Sequence, residues 1–520
     1  MDQPTAISAN PPRILLFVIA IISSLVMLDS NVVAVALPSI ARSLNADFSQ
    51  VQWVITAYVL PFAALLLAAG SFGDRVGRRR SALIGLVIFG VSSLACGMAT
   101  SPMMLNIARA VQGVGASLVL TASLALINHI YQGAERAKAF AFWGASLGIA
   151  ITCGPIIGGI IASMFGWTWA FLINVPICTV LLVAAIKVIP ESRDPDAKGL
   201  DYAGIVTFSS GLFLTTWAVI DGNALGWFSV PVLWRFFGGL LLLTLFVKVE
   251  MLQQRPMVDF AIFRSPHFIG TAFAMVGYAA GAQVMIFYLP LYLQNAFGFA
   301  PVIAGIAMLP FALPMFVVPR ISAGSKLPPR ALLGIGLAIT TLANIGLALL
   351  SAAHSTYFEF ALAMACAGIG AGMLNGETAK AVQGALPANR SGVASGIAST
   401  TRFTALLFSV SGLGALLISA TVSRVVAMAP KLGIGEATAV SLAKSFAAGD
   451  LSSALEALPE AARAPVTATL HTAFEAGFST AAFAAATAAF LCLVLTLRLM
   501  EKQIKYSNAD PIEAVFVAGE

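Results

Sequence analysis

Long apolar segments separated by short polar connections recur along almost the whole chain. Each segment has about the 20 residues that an α-helix needs to cross a bilayer. No segment alternates apolar and polar residues as a membrane β-strand would, and helices satisfy their own backbone hydrogen bonds in lipid. The pattern predicts fourteen membrane-spanning helices, at about 14–38, 51–70, 81–99, 102–128, 139–163, 168–189, 202–220, 233–251, 268–294, 301–319, 330–350, 355–384, 393–420 and 474–498.

Composition agrees with an all-α polytopic membrane protein. The 520 residues are 59% hydrophobic and 10% charged, whereas soluble domains carry about 25% charged residues. The net charge of +6 comes from short connections between apolar segments, so membrane topology explains it better than a nucleic-acid partner. The five cysteines show no paired spacing and the four histidines are scattered, which predicts neither a disulfide framework nor a metal centre.

The connection from Gly70 to Arg80 indicates the orientation. It contains four arginines and one aspartate between two apolar segments. Short basic connections resist translocation, so this one is expected on the cytoplasmic side, as are most other basic connections. An even number of helices then places both termini in the cytoplasm. We expect a multi-pass protein of the cell inner (plasma) membrane.

The predicted helices fall into three groups. Residues 1–198 hold the first six helices, residues 199–262 hold a linker and two inserted helices, and residues 263–520 hold the last six. The last group includes a long segment at 421–473, predicted as an extracytoplasmic loop with amphipathic helices within 449–472. A spacer is the favoured interpretation of that loop over a binding domain.

Asp29 is one of few ionisable residues inside the predicted helices, where each costs about 2.5 kcal/mol or more. A low dielectric constant favours the neutral form of a carboxyl group, so Asp29 is suited to gaining and losing a proton. It is equally suited to neutralising a cationic ligand. The alternative is a structural aspartate that is hydrogen-bonded near the outer interface.

Arg109 and Gln112 share one face of the fourth predicted helix. Arginine stays charged at any relevant pH, so Arg109 cannot carry the proton but can influence a nearby acid. The alternative is a structural arginine satisfied by backbone carbonyls. A direct pair between Asp29 and Arg109 is a hypothesis that the sequence leaves open.

Glu377 and Arg402 lie at similar depth in the twelfth and thirteenth predicted helices. Each is about twelve residues from the intervening turn, or roughly 18 Å of helix, so a pair across the hairpin is a hypothesis that the sequence leaves open. A structural ion pair and a role in proton coupling carry equal weight. Aromatic side chains are further candidates for lining an adaptable cavity: Trp53, Tyr58, Phe62, Tyr278, Phe287, Tyr288, Tyr292 and Phe403.

Several of these residues belong to motifs. The spacing G-x-x-x-D-R-x-G-R-R resembles the signature loop between helices 2 and 3 of the major facilitator superfamily. Leu28–Pro38 resembles the helix-1 signature of its fourteen-helix drug:proton antiporters, with Asn31 and Ala34 departing from the usual Thr and Asn. Arg109–Ala116 is similar to the helix-4 motif of the superfamily. The loop residues that carry the resemblance are Gly70, Asp74, Arg75, Gly77 and Arg78.

The fifth predicted helix contains a G-P-x-x-G-G sequence. Small residues let helices approach closely, and a proline removes one backbone hydrogen bond. The stretch resembles the antiporter motif of superfamily exporters, which implies export rather than uptake. Its candidate residues are Gly148, Gly154, Pro155, Gly158 and Gly159.

The resemblance implies two six-helix bundles with two extra helices, in the major facilitator fold. It also implies that Asp74 meets the start of the thirteenth helix near Ser391 and Gly392, closing the cytoplasmic side. Asp29, with or without Glu377, would then exchange protons for cargo. The resemblance covers nearly all of the first six helices and is weak after residue 200.

The predicted function is proton-coupled export of amphipathic drugs or toxic compounds, cationic ones included. One alternative is an exporter of a defined metabolite, such as an amino acid, siderophore or sugar; another is a membrane sensor or scaffold. The sequence has neither a nucleophile–base set nor a G-x-x-x-x-G-K-[ST] loop, so we expect no enzyme and no ATP. A monomer without cofactor, whose partners are small molecules, protons and the bilayer, is expected.

Overall fold

The computed structural model describes residues 13–193, 201–253, 258, 260–384, 391–449 and 458–506, which are helical without any strand. Its α-helices are α1 (Arg13–Leu44), α2 (Phe48–Val76), α3 (Arg78–Gly97), α4 (Pro102–Ile130), α5 (Gly133–Met164), α6 (Trp169–Leu172), α7 (Asn174–Val188), α8 (Tyr202–Leu225), α9 (Val230–Leu252), α10 (Pro266–Tyr278), α11 (Met285–Asn295), α12 (Pro301–Ala307), α13 (Leu309–Ala323), α14 (Pro329–Ala352), α15 (Tyr357–Gly384), α16 (Ser391–Leu432), α17 (Glu436–Ala448) and α18 (Glu460–Tyr506).

Fourteen helical segments in the described part of the chain are long and apolar enough to span a membrane, as the sequence predicts. Three of them contain more than one helix. The helices α6 and α7 form one span, α12 and α13 form another, and a third joins α10 to α11 through a π-helix at Ala279–Gln283. A 3₁₀ helix at Phe260–Arg264 precedes α10.

The spans begin and end at residues suited to those positions. Asp47 caps α2: its carboxylate accepts from the Gln50 amide at 2.8 Å, and the Gln50 side chain accepts from the Asp47 amide at 3.0 Å. Ser101 caps α4 by accepting from the Met104 amide at 3.3 Å, and a proline follows in the first turn. Gly77 separates α2 from α3 with φ at +118°, a conformation that only glycine adopts readily.

The helices pack as two halves with one pair between them. In the N-terminal half, α2 and α3 pack on α4, and α1 packs on α5. In the C-terminal half, α14 packs on α15 and α18, and α16 packs on α18. The inserted helices α8 and α9 pack on each other, and α8 also contacts α2 and α16. The inserted pair therefore covers a seam between the two halves.

The segment 421–473, predicted as an extracytoplasmic loop, is mostly helical where the structure describes it. Helix α16 continues to Leu432, α17 follows, and α18 begins at Glu460. The segment is rich in alanine, which has the highest helix propensity, and α17 buries Leu442 and Phe446. The flanking helices therefore extend further into this segment than the sequence predicts, and α18 overlaps the stretch where amphipathic helices are expected. Residues 450–457 and the linker residues 194–200 lie outside the described chain.

The two ends of the bundle differ in how the halves meet. We call the end with the Gly70–Arg80 connection the basic face, and the end where α2 begins the opposite face. Toward the opposite face, Gln52 donates to the carbonyl oxygens of Val410 at 2.8 Å and Ser411 at 3.0 Å. Gln294 donates to Val35 O at 3.0 Å nearby. These hydrogen bonds hold the halves together on that side.

Candidate functional site

Asp29 of α1 and Arg109 of α4 form a buried ion pair inside the N-terminal half. Arg109 Nη1 donates to Asp29 Oδ2 at 2.6 Å, and both side chains are at most 1% exposed. Arg109 Nε also donates to Val54 O at 3.1 Å. Removing two charges from water is costly unless they are paired and fully hydrogen-bonded. The pair that the sequence left as a hypothesis is present.

Three neutral side chains complete this cluster. Asp29 Oδ1 accepts from Gln112 Nε2 at 3.0 Å and from Asn174 Nδ2 at 2.7 Å. Gln112 Oε1 accepts from Arg109 Nη1 at 2.7 Å, and Gln112 Nε2 also donates to Ser93 Oγ at 2.8 Å. The carboxylate therefore joins α1 to α4 and α7, with α3 contributing Ser93.

Asn174 and Ser93 are part of the site that sequence reasoning missed. Asn174 is 2% exposed at the first position of α7, and Ser93 is fully buried in α3. The only sequence feature that could have pointed to Asn174 is that its side-chain amide lies within an apolar predicted span. Ser93 gave none, because serine is common in membrane helices, where it bonds its own backbone.

Aromatic rings enclose the guanidinium of Arg109. The Tyr58 ring centre lies 4.1 Å from Arg109 Cζ, and the Phe171 ring centre lies 5.7 Å from it. A cation over an aromatic face is stabilised most when both are desolvated, as here. The Tyr58 hydroxyl donates to Val26 O at 3.2 Å, which fixes the ring against α1.

A small cavity of about 30 Å³ lies between the two halves, next to this cluster. From the N-terminal half it is lined by Met27, Ser30, Asn31, Tyr58, Val59, Phe62 and Ile151, and from the C-terminal half by Gln283, Ile286, Phe287, Phe403 and Leu406. We call it the central cavity. Its volume suffices for water and not for a drug-sized ligand, which needs about 300 Å³ or more. Asn31 Oδ1 is buried there without a hydrogen-bond partner.

The eight aromatic candidates separate into two sets. Tyr58, Phe62, Phe287 and Phe403 line the central cavity. The others have different neighbours: Tyr278 contacts Arg402, the Tyr288 hydroxyl donates to Val410 O, Tyr292 stacks on Phe360, and Trp53 lies near Phe213. Helical spacing and residue type did not distinguish these two sets.

Glu377 and Arg402, whose pairing the sequence leaves open, have different partners in the structure. Glu377 Oε1 lies 2.8 Å from Lys380 Nζ and accepts from Ser322 Oγ at 3.1 Å. Lys380 is one turn further along the same helix, so this pair needs no contact across the hairpin. Equal distance from the turn placed the two residues at similar heights, but it did not fix which face of each helix they occupy.

Arg402 instead belongs to a network beside the π-helix. Its Nε donates to Gln283 Oε1 at 2.8 Å, and its Nη2 donates to the Tyr278 hydroxyl at 3.2 Å. The Tyr278 hydroxyl donates in turn to Asn375 Oδ1 at 3.1 Å. Tyr278 and Gln283 flank and end the π-helix Ala279–Gln283. Single-turn π segments inside α-helices are frequent at functional sites.

The basic loop is held within the N-terminal half. Asp74 pairs with Arg78 at 2.8 Å, and the loop packs on Glu191, which accepts from the Arg79 amide at 3.2 Å. Gly77 packs against the Glu191 carboxylate, and its φ of +118° is the feature that favours glycine there. Glu191 was missed by the sequence reasoning. The predicted contact of Asp74 with Ser391–Gly392 involves side chains outside the described part of the structure.

Two other loop candidates have less specific surroundings. Arg75 is exposed, and an added Cβ at Gly70 would meet no atom within 4 Å. Neither observation assigns these two residues a role in the conformation described. The basic face is therefore organised around Gly77 and Glu191, with Arg78 held by Asp74.

The glycines of α5 bring three helices into close contact. A Cβ at Gly158 would lie 2.7 Å from Val32 O of α1, and one at Gly159 would lie 2.4 Å from Pro301 O of α12. On the facing helix, a Cβ at Gly305 would lie 2.4 Å from Pro155 O. Gly154 packs on Asn31 in the same way, whereas Gly148 is only in ordinary contact with Phe316. The G-P-x-x-G-G segment of α5 thus packs closely against α1 in its own half and against α12 in the C-terminal half.

The chain is similar in sequence to known membrane transporters. A sequence model of the Major Facilitator Superfamily matches residues 19–410. A protein of Streptomyces coelicolor named "Probable actinorhodin transporter" is 31% identical over 407 residues, covering 75% of this chain and 70% of that protein. The "Multidrug resistance protein Stp" of Mycobacterium tuberculosis is 35% identical, covering 46% of this chain and 45% of that protein. The match thus spans about half the length of that relative.

Solved structures share the fold at low sequence identity. A bacterial homologue of the lysosomal transporter Spinster, in an inward-facing and unoccupied conformation, has a TM-score of 0.61 at 15% identity, covering 94% of this chain and 97% of that one. A D-xylose–proton symporter has a TM-score of 0.59 at 15% identity, covering 85% and 96%. Both likenesses concern the fold of the bundle.

Proposed function

The chain belongs to the Major Facilitator Superfamily, and we propose that this membrane transporter exports amphipathic drugs or toxic compounds in exchange for protons. The basic face would be cytoplasmic, and the carrier would work as a monomer in the cytoplasmic membrane. The proposal extends what relatives named for multidrug resistance and antibiotic export are said to do. Transport by two rocking halves around a midplane site is common among secondary transporters.

The observation that carries the proposal is the buried Asp29–Arg109 pair, separated from the central cavity by Tyr58. Asp29 is the titratable member, since arginine keeps its charge. In the charged form, Asp29 accepts hydrogen bonds from Arg109, Gln112 and Asn174. A proton added to Asp29 removes the ionic attraction and one acceptor site. That change would loosen α1 from α4 and α7.

Coupling follows from where α1 lies. Val32 of α1 contacts Gly158 of α5, and Asn31 lines the central cavity. A shift of α1 on protonation would therefore reach both the cavity and the α5–α12 contact between the halves. In the proposed cycle, Asp29 binds a proton when the opposite face is open and releases it when the basic face is open. Cargo moves in the other direction.

The test uses the purified protein in proteoliposomes with an imposed pH gradient. Gradient-driven movement of a neutral fluorescent amphiphile such as N-phenyl-1-naphthylamine is compared in wild type and Asp29→Asn. We expect wild-type transport and at least a tenfold loss in the variant, because asparagine cannot take up the proton. Equal gradient-driven transport by both proteins would remove Asp29 from the mechanism.

A second candidate is export of a single defined compound. It is favoured by the relative that matches 75% of this chain, whose name refers to one product, actinorhodin. Competition distinguishes the candidates: inhibition of transport by chemically unrelated amphiphiles supports the drug exporter. Strict selectivity for one compound and its close analogues supports the single-compound exporter.

A further inference from the structure

A second cavity, of about 800 Å³, lies away from the Asp29–Arg109 pair. It is bounded by α8, α9, α10, α16 and α18, with Leu67 of α2 at one side, and we call it the lateral chamber. It thus lies where the inserted helices cover the seam between the halves. Its volume is within the range of about 300–1,000 Å³ typical of pockets that hold drug-sized ligands. The central cavity is far smaller.

The wall of the lateral chamber is aromatic and uncharged. Phe208 and Phe246 have ring centres 4.9 Å apart, and Phe246 and Phe260 have ring centres 6.3 Å apart. No Asp, Glu, Lys, Arg or His is among the described residues that line it. A charged ligand would lose its hydration there without gaining a counter-charge. The lining therefore favours a neutral molecule.

Two hydroxyl groups in the lateral chamber lack partners. The Oγ1 atoms of Thr400 and Thr404 are buried without a hydrogen bond, and Thr400 is 9% exposed overall. Thr421, on the same helix, instead donates to the carbonyl four residues earlier, at 2.8 Å. A buried hydroxyl without a partner is unfavourable, and Thr400 and Thr404 lie one turn apart on one face. They are placed to bind a polar group of a ligand.

Helix α16 separates the lateral chamber from the central cavity. Thr400, Thr404 and Phe408 face the lateral chamber, whereas Phe403 and Leu406 face the central cavity. At 100° per residue the centres of these two sets are about 130° apart around the helix, so they occupy different faces. Leu416, at the rim of the lateral chamber, is 42% exposed on the outside of the bundle. The lateral chamber thus lies between the outer surface and the wall of the central cavity.

We propose that the lateral chamber binds cargo directly from the bilayer, and that this cargo is neutral and largely apolar with at least one hydrogen-bonding group. The inference rests on the proposed export function and specifies its substrate class. Cargo would pass α16 to reach the central cavity when the halves rearrange. Cationic compounds would be poor ligands of the lateral chamber.

The first test fills the lateral chamber. Gly412 lines the lateral chamber, and an added Cβ there meets no atom within 4 Å, so Gly412→Phe directs a ring into the lateral chamber. Gly144→Phe is the matched control, since a Cβ at Gly144 of α5 also meets no atom within 4 Å. Binding of N-phenyl-1-naphthylamine to full-length protein in nanodiscs is followed by its fluorescence. We expect at least a tenfold weaker affinity for Gly412→Phe and an unchanged affinity for the control.

The second test removes the hydroxyl groups. Competition against N-phenyl-1-naphthylamine compares 1-naphthol with naphthalene, which has the same rings without the hydroxyl. We expect wild type to prefer 1-naphthol by about fivefold, the effect of one hydrogen bond. Thr400→Val with Thr404→Val should abolish that preference while keeping affinity for naphthalene. An unchanged preference in this double variant would overturn the assignment of the two threonines.

The possible outcomes distinguish failure of the lateral-chamber proposal from failure of the proposed transport function. Equal affinity of wild type and Gly412→Phe for the probe would overturn the lateral chamber as a cargo site, even where pH-driven transport is observed. Loss of a co-purified lipid alone in Gly412→Phe, with probe affinity unchanged, would overturn it too. Probe binding that is lost in Gly412→Phe, in a protein that moves no compound under a pH gradient, would support the lateral chamber and refute proton-coupled export.

Discussion

The ring of Tyr58 lies between the ion pair and the central cavity, with its centre 4.1 Å from Arg109 Cζ. The Tyr58 ring contacts the guanidinium of Arg109, which pairs with Asp29. Tyr58 also lines the central cavity between the two halves. Tyr58 therefore connects Arg109, the partner of the titratable carboxylate, to the cavity. A change in the position of Arg109 would therefore move a wall of the cavity.

Replacing Tyr58 tests this connection. A cation–π contact in a desolvated site contributes about 2 kcal/mol, so Tyr58→Leu should reduce pH-driven transport by at least tenfold. Tyr58→Phe keeps the ring and loses only the hydrogen bond to Val26 O, so it should retain most of the activity. Initial rates in proteoliposomes provide the measurement. Equal losses in both variants would assign the effect to the hydroxyl instead of the ring.

The buried pair also makes a prediction about stability. Arg109→Met removes the cation that pairs with Asp29, which is 1% exposed. We expect the free energy of unfolding to fall by about 3 kcal/mol or more, because a buried charge is left without its partner. Combining Arg109→Met with Asp29→Asn removes the uncompensated charge and should recover most of that loss. Thermal unfolding of the purified variants in detergent provides the measurement. A double variant as unstable as Arg109→Met would show that packing around Arg109 dominates.

Glu377 should matter much less than Asp29. Its partner Lys380 is 55% exposed, and pairs that reach solvent contribute about 1 kcal/mol or less. Glu377→Gln keeps the size of the side chain and can still accept from Ser322, so pH-driven transport should stay within about threefold of wild type. The measurement is the same proteoliposome assay. A loss as complete as that of Asp29→Asn would make Glu377 a second coupling carboxylate.

The glycines of α5 predict a steric effect on the meeting of the halves. Gly159→Val would place a branched side chain where a single Cβ already comes within 2.4 Å of Pro301 O, so the halves could not close at this contact. We expect at least a tenfold loss of transport in a protein that still folds. Gly144→Val, which has open space around the added atoms, should transport normally. Normal transport by Gly159→Val would show that the transport cycle does not require close contact between α5 and α12.

The sequence predicted the number of spans because span length and hydropathy are local properties. It also placed Asp29, Arg109 and Gln112 inside the predicted spans. Polar side chains there are unfavourable unless they bind partners, so partners could be expected. It could not select Asn174 or Ser93, because an uncharged residue in an apolar run gives no comparable signal. Glu377 and Arg402 show the remaining limit: depth along two helices is readable from the sequence, but rotation about their axes is set by tertiary packing. Helix ends were less readable: α16 and α18 extend into the alanine-rich segment 421–473, because alanine favours helix whether or not the residues lie in lipid.

Proton movement coupled to cargo is the most direct test of the proposed mechanism. Proteoliposomes containing the purified protein and a trapped pH-sensitive dye are given a gradient of the transported compound without an imposed pH gradient. We expect proton flux opposite to the cargo, abolished in Asp29→Asn although the variant still binds the compound. Cargo movement without proton flux in the wild type, or equal proton flux in Asp29→Asn, would contradict the mechanism.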